Sequence, residues 1–245
     1  MCIASDIDYT LIDFEPGNIA GLQAITDVLG EDIAKESNRL FYLILEGFRH
    51  LSDEMWNGKD EFGWLMEEIR RLESGFASLY GMRSWSREVY LLLAARKFGR
   101  VLTAAELQDA RDRFFYAARQ ASRLYDDAVP LFEHLSHRSI SLLAMTGSDC
   151  VLRIMDDCSL EYDPDYSREY KKKRLEDIYR YAQDVLIGDP YDKPDPRFFD
   201  EMWARAHALC PSLTPETLLV LGDSEKNDLE VPRSRGWQTC LLKRT

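Results

Sequence analysis

The chain has 245 residues, 45% of them hydrophobic and 30% charged, which is long enough to bury a sizeable core and too apolar for a disordered polymer. Its 31 lysines and arginines against 43 aspartates and glutamates leave a formal charge of −12. That balance repels nucleic-acid phosphates and anionic lipid heads, so an anionic partner has to be met by local cations or a metal.

The opening residues, Met1 to Thr10, form a short apolar run that turns acidic at Asp6 and Asp8, just before the Gly/Pro-containing stretch Glu15-Pro-Gly-Asn18. This pattern predicts a buried strand ending in a functional loop. From about residue 18 to 127 the apolar residues recur at helical spacing, as in Phe41, Ile44, Leu45 and Phe48 and again in Leu65, Ile69 and Leu72, and proline is absent from residue 17 to 129. The stretch reads as a block of several helices, one of them starting at Thr103 with Glu106 completing a capping box. Beyond Pro130 the pattern changes to short apolar runs alternating with helices. Leu131 begins a helix, and Ile140–Met145, Val185–Ile187 and Leu218–Leu221 are strands, each apolar and each followed by polar or glycine residues. This is the appearance of parallel strands in an α/β sheet.

Five cysteines, Cys2, Cys150, Cys158, Cys210 and Cys240, form no CxxC pair and no zinc spacing, and a reducing compartment is the simplest reading. There is no basic-then-apolar leader and no window near the roughly 18 apolar residues that a membrane span needs. The expected location is cytoplasmic, with no membrane and no nucleic-acid partner. Nothing in the sequence sets the oligomeric state.

Ligands of open parallel sheets bind beyond the carboxyl ends of the strands. The residues at those ends are Asp6-Ile-Asp-Tyr-Thr10, Thr146-Gly-Ser148, Lys193-Pro-Asp195 and Gly222-Asp-Ser-Glu-Lys-Asn-Asp228. Taken singly, each also suits a turn, a solvated lysine or a helix cap. Taken as an ordered set, they resemble the four motifs of the haloacid dehalogenase-like (HAD) hydrolases: DxDxT, a Thr/Ser, a Lys, and an acidic GDxxxxD loop. The flanks Lys193-Pro-Asp-Pro-Arg-Phe198 and Leu221-Gly-Asp-Ser-Glu-Lys-Asn-Asp228 are similar to that family's KPDPxxF and GDSxxND. Tyr9 stands where many members have Gly, and Ala4 and Ser5 precede Asp6 where bulkier apolar residues are common.

The resemblance implies an α/β fold: a Rossmann-like parallel-sheet core of residues 1–14 and 129–245, interrupted by an inserted all-helical cap domain of residues 15–128. It implies a Mg²⁺-dependent phosphatase acting on a small phosphorylated metabolite through an aspartyl-phosphate. Asp6 would be the nucleophile and Asp8 the general acid and base. Thr146, Gly147 and Lys193 would hold the phosphoryl group. Mg²⁺ would be bound by Asp6, the backbone carbonyl of Asp8 and Asp223, with Asp228 behind them or acting through water. A hard cation fits, because a carboxylate nucleophile approaches a phosphate dianion only when charge is neutralised. Family members that remove halide lack the second aspartate, since halide leaves without a proton, so Asp8 favours phosphoester hydrolysis. A phosphomutase shares every one of these residues, and an inactive binding or regulatory protein of the same fold is the reading from another class.

Two basic or aromatic features remain. Trp56, Trp64, Tyr80, Trp85 and Tyr90, with Arg49, Arg83 and Arg87, could contact substrate from the helical block, although at helical spacing such residues more often serve the core or a solvated face. Lys171-Lys-Lys-Arg174, flanked by Glu169 and Glu176, reads as an exposed helix face.

Overall fold

The structure is a computed structural model that describes residues 1–50, 53–72 and 86–244, the side chains of 48 and 49 excepted. In chain order its elements begin with β1 (Cys2–Asp6), β2 (Ile12–Asp13), and the helices α1 (Glu15–Leu29), α2 (Glu31–Arg49), α3 (Lys59–Leu72), α4 (Arg87–Lys97) and α5 (Ala104–Ala121). Next come β3 (Arg123–Leu124), α6 (Ala128–His137), β4 (Ser141–Thr146), β5 (Arg153–Ile154), β6 (Leu160–Glu161) and α7 (Pro164–Arg174). The chain continues with β7 (Asp184–Ile187), α8 (Pro196–Leu209), β8 (Leu218–Gly222), a π-helical turn (Glu225–Leu229), α9 (Glu230–Ser234) and β9 (Gln238–Leu241).

These elements fall into two compact units. The first holds Met1–Gly17, Ala121–Ser148 and Lys171–Thr245; the second holds Asn18–Gln120 and Asp149–Tyr170. The boundary differs from the one expected from sequence, because residues 149–170 were assigned there to the α/β core. The reason is visible in the packing of the second unit. Cys150, Leu152 and Tyr162 are buried with Leu40 and Ile44 of α2, Leu65 and Ile69 of α3, and Val89 and Leu93 of α4. The buried Arg111 of α5 donates to the Leu152 carbonyl at 2.9 Å and to the Tyr170 hydroxyl at 3.1 Å, while Glu88 accepts from the Leu152 amide at 3.2 Å. This unit is also not wholly helical, since β5 and β6 pair antiparallel within it.

The first unit is built on a parallel sheet of five strands in the order β7-β4-β1-β8-β9. Four of the five are the apolar runs read from sequence. The fifth, β9, is an edge strand whose side chains are mostly exposed, so it carries no apolar run to reveal it. In the two strands β1 and β4 successive residues go to opposite faces. Ala4, Leu143 and Met145 pack with Phe198, Phe199 and Met202 of α8, whereas Ile3, Leu142 and Ala144 pack with Phe132 and Leu135 of α6. Both faces are covered, which is why these strands read as continuous apolar runs. The chain runs outward from β1 to β4 and β7, then returns to β8 on the other side of β1. The direction reverses between β1 and β8, and a sheet of this topology opens its binding crevice at that point.

Among the aromatic candidates of the second unit, Tyr90 is a core residue at 1% exposure, and Trp56 stacks on His50 with ring centroids 5.5 Å apart. Trp64 is exposed, and Arg87 is buried over the rings of Phe41 and Phe114. Tyr80, Arg83 and Trp85, and the side chain of Arg49, lie outside the described residues. No described helix is long and apolar enough to cross a membrane.

Candidate active site

Asp6 is the last residue of β1 and is 4% exposed. After it the chain turns so tightly that the amides of Leu11 and Ile12 both donate to the Ile7 carbonyl, at 2.8 and 2.9 Å. Tyr9 takes up the turn with φ of 61°, a left-handed conformation that costs a non-glycine residue on the order of 1 kcal/mol. The turn brings Thr10 back under Asp6, and its hydroxyl donates to Asp6 Oδ2 at 2.8 Å. The other oxygen, Oδ1, accepts from Lys193 Nζ at 2.5 Å.

Lys193 sits in the loop between β7 and α8. The surrounding Lys-Pro-Asp-Pro sequence has a local cause: Asp195 is the N-cap of α8, accepting from the Arg197 amide at 2.9 Å, and Pro196 fills the first turn, where a missing N–H costs nothing. Lys193 Nζ also donates to Asp228 Oδ1 at 2.6 Å. Burial alone would lower its pKa, but the Asp6 and Asp228 carboxylates override that and hold it far above the usual lysine value.

Asp223 follows β8 directly, and Asp228 lies in the π-helical turn beyond it, its Oδ2 accepting from the Ser224 amide at 2.9 Å. One oxygen each of Asp6, Asp223 and Asp228 lie within 4.8 Å of one another. Sequence reasoning set Asp228 behind the others, whereas its carboxylate here stands in the same cluster. Burial pushes the Asp6 carboxyl up to about 7, against the pull of Lys193 and reinforced by Asp228 and Asp8. Desolvation by the surrounding protein and the Asp228 charge push Asp223 up to about 6, although one side of that residue is exposed. Three crowded carboxylate oxygens with one ammonium among them form an all-oxygen, charge-deficient donor set. That chemistry fits a hard divalent cation such as Mg²⁺.

Thr146 ends β4 and is buried, its hydroxyl donating to Asp8 Oδ2 and to the Gly147 carbonyl, both at 3.3 Å. Gly147 leaves room for Asp192: a Cβ there would come 2.9 Å from Asp192 Oδ1. Asp192 accepts from the Ser148 amide at 3.0 Å and the Lys193 amide at 2.7 Å, tying the loops after β4 and β7 together. Neither Asp192 nor Thr10 was singled out from sequence. Thr10 had a signal in the DxDxT pattern, whereas Asp192 had none beyond its place beside Lys193.

The largest departure from the sequence reading is in the Lys171–Arg174 run of α7, which meets the Asp8 carboxylate. Arg174 forks onto it, Nη1 to Oδ1 at 2.6 Å and Nη2 to Oδ2 at 2.7 Å, and Lys171 Nζ donates to Oδ2 at 2.8 Å. The run expected to be an exposed face therefore turns two of its four cations inward, Lys171 at 2% and Arg174 at 8% exposure, while Lys173 stays out. Burial works against the Asp8 charge, yet Arg174 and Lys171 outweigh it and hold the carboxyl well below the usual carboxylate range.

No protein-family model matches the sequence, and no curated protein matches it. Solved structures do. A structure described as a beta-phosphoglucomutase from Thermotoga maritima aligns with 100% of this chain and 86% of its own, at a TM-score of 0.60 and 14% identity. The HAD-hydrolase YfnB from Bacillus subtilis, described as bound to magnesium, aligns over 100% and 89% at a TM-score of 0.57 and 16% identity. The 2-haloacid dehalogenase from Pseudomonas syringae pv. Tomato aligns over 98% and 85% at a TM-score of 0.55 and 17% identity. The fold is that of the HAD hydrolases, and these neighbours include one named for a phosphomutase reaction and one for dehalogenation.

Proposed function

We propose that this chain is a Mg²⁺-dependent phosphatase that hydrolyses a small phosphorylated metabolite through an aspartyl-phosphate on Asp6. The observation that carries the reading is the setting of Asp6: a buried carboxylate at the switch point of a parallel sheet, held by Thr10 and Lys193, in one cluster with Asp223 and Asp228. A phosphate dianion is repelled by carboxylates, so this arrangement is productive only if positive charge gathers on the transferring group.

Asp6, Asp223 and Asp228 would hold Mg²⁺, and when bound it would neutralise charge on the phosphoryl oxygens. Lys193 supplies a second positive charge, and its two hydrogen bonds fix Asp6 for attack. In the first step an Asp6 oxygen forms a bond to phosphorus and the ester P–O bond breaks, the leaving oxygen taking a proton through Asp8. In the second step water adds to phosphorus, gives its proton to the Asp8 carboxylate, and the Asp6 O–P bond breaks. Asp8 rests in the form that accepts a proton, which suits the second step. A proton taken up from solvent serves the leaving oxygen in the first step, and the one that Asp8 takes from water in the second returns to solvent, which restores the ionised carboxylate.

The presence of Asp8 favours an oxygen leaving group over halide, and the magnesium-bound neighbour supports the cofactor. The test is hydrolysis of p-nitrophenyl phosphate and a panel of phosphometabolites, with and without Mg²⁺, by the protein and by Asp6→Asn. Turnover that needs Mg²⁺ and is lost by at least ~10³-fold in the variant is expected. Full activity in Asp6→Asn would sink the mechanism, and phosphoryl return to substrate instead of release as inorganic phosphate would make the enzyme a mutase.

A further inference from the structure

We propose that Lys171 and Arg174 are positioning residues, whose task is to fix the Asp8 carboxylate at the angle and depth from which it exchanges protons with the reacting group. The proposal rests on the phosphatase reading for what Asp8 does, and on the geometry alone for how Asp8 is held.

The carboxylate receives four donors: the two guanidinium nitrogens of Arg174, Lys171 Nζ and the Thr146 hydroxyl. A fork on a carboxylate fixes the plane of the group as well as its position, which a single point charge does not. Lys171 then selects one of the two oxygens, Oδ2, the same oxygen that meets Thr146. Both cations come from one face of one helix, three residues apart, so a single rigid element sets both contacts. Arg174 is itself held, its guanidinium carbon lying 4.5 Å from the centre of the Phe14 ring.

The arrangement is expensive for a purely structural contact. Each buried cation gives up its hydration, and a buried ion pair is commonly no more stabilising than an apolar replacement. A carboxylate that must meet a substrate oxygen has a different requirement, since a misplacement of ~1 Å lowers the rate by about 10²-fold.

The experiment compares the protein with Arg174→Gln, Arg174→Lys and Lys171→Gln, each with Mg²⁺ and p-nitrophenyl phosphate, and solves the Arg174→Gln structure. The expected result for Arg174→Gln is kcat lower by ~10²-fold with KM within about threefold, and for Arg174→Lys, which keeps the charge but not the fork, an intermediate kcat. A kcat equal to that of the unaltered protein overturns the proposal. So does a loss carried by KM, which would make the pair a substrate subsite, or a loss that follows the drop in thermal midpoint, which would make it structural. If Arg174→Gln does not fold, the kcat of Arg174→Lys decides in the same way. If the unaltered protein hydrolyses no phosphoester, the function is wrong and the structure still decides: an Asp8 carboxylate swung out of place in Arg174→Gln supports positioning, and an unmoved one overturns it.

Discussion

At the scale of single residues the site depends on close approach. Gly222 is the last residue of β8, and a Cβ there would lie 2.4 Å from the Asp228 Cβ. No rotamer of Asp228 relieves a clash with its own Cβ, so Gly222→Ala has to push the π-helical turn away and carry Asp228 out of the cluster with Asp6 and Asp223. Overpacking of this kind costs about 1–3 kcal/mol of stability. Displacing a ligand or its support weakens metal activation by roughly 10–100-fold. A Mg²⁺ titration of p-nitrophenyl phosphate hydrolysis, run beside a thermal melt, checks both; an unchanged half-saturating Mg²⁺ concentration would remove Asp228 from the cation site. The same scale shows what a sequence displays and what it hides. Asp6 and Asp223 stand at the ends of short apolar strands and are visible there as polar residues closing an apolar run, whereas Lys193 lies in the loop beyond β7 and is marked by the Lys-Pro-Asp-Pro sequence around it. Asp192 joins two loops through backbone amides, and nothing in its neighbours' types announces that. Tyr9 adopts a left-handed backbone, which a residue with a side chain takes up only at a cost in strain.

At the scale of elements, the start of α5 was legible because a capping box is local. The Thr103 amide donates to Glu106 Oε2 at 2.9 Å and the Glu106 amide to Thr103 Oγ1 at 3.2 Å, with Arg100 adding an ion pair at 2.7 Å. These contacts, the Thr103 amide first, draw the Glu106 carboxyl down to about 2. A depressed carboxylate contributes stability that is present above its ordinary value near 4.5 and is lost as the pH falls toward 2. Glu106→Ala is therefore expected to cost about 1 kcal/mol at neutral pH, the range of a lost cap. The cost should shrink as the pH falls below about 4.5, read from denaturant melts of both proteins at pH 7 and pH 3.5. A penalty that stays constant over that interval would assign the effect to helix propensity instead. The Lys171–Arg174 run of α7 was misread for the opposite reason. Spacing places Lys171 and Arg174 on one face, but their partner Asp8 is 163 positions from Lys171. Flanking Glu169 and Glu176 suggested solvent, and only the folded sheet brings Asp8 to that face.

At the scale of the whole molecule, α/β class and parallel sheet were readable because strands covered on both faces must be apolar throughout. The membership of residues 149–170 was not, since their buried side chains, Cys150, Val151, Leu152, Tyr162 and Ser167, follow neither a helical nor an alternating period. The net charge of −12 takes on a different meaning once the site is known. Asp6, Asp8, Asp223 and Asp228 are met by Lys193, Lys171 and Arg174, so the site alone is nearly balanced, and a divalent cation would turn it positive. The excess of negative charge therefore lies elsewhere, on exposed acidic groups. The two fields respond differently to salt. The screening length falls from ~30 Å at 0.01 M to ~8 Å at 0.15 M, and screening acts on exposed, distant charges, whereas charges inside the site are screened little. Raising ionic strength over that range should therefore weaken the outer repulsion of a phosphate dianion and leave the inner attraction. We expect kcat/KM for p-nitrophenyl phosphate to rise by about twofold or more between 10 and 150 mM KCl, through KM, with kcat steady. A fall in kcat/KM over the same range would show that the attraction of the site reaches past the repelling surface, and that net charge does not govern how substrate arrives.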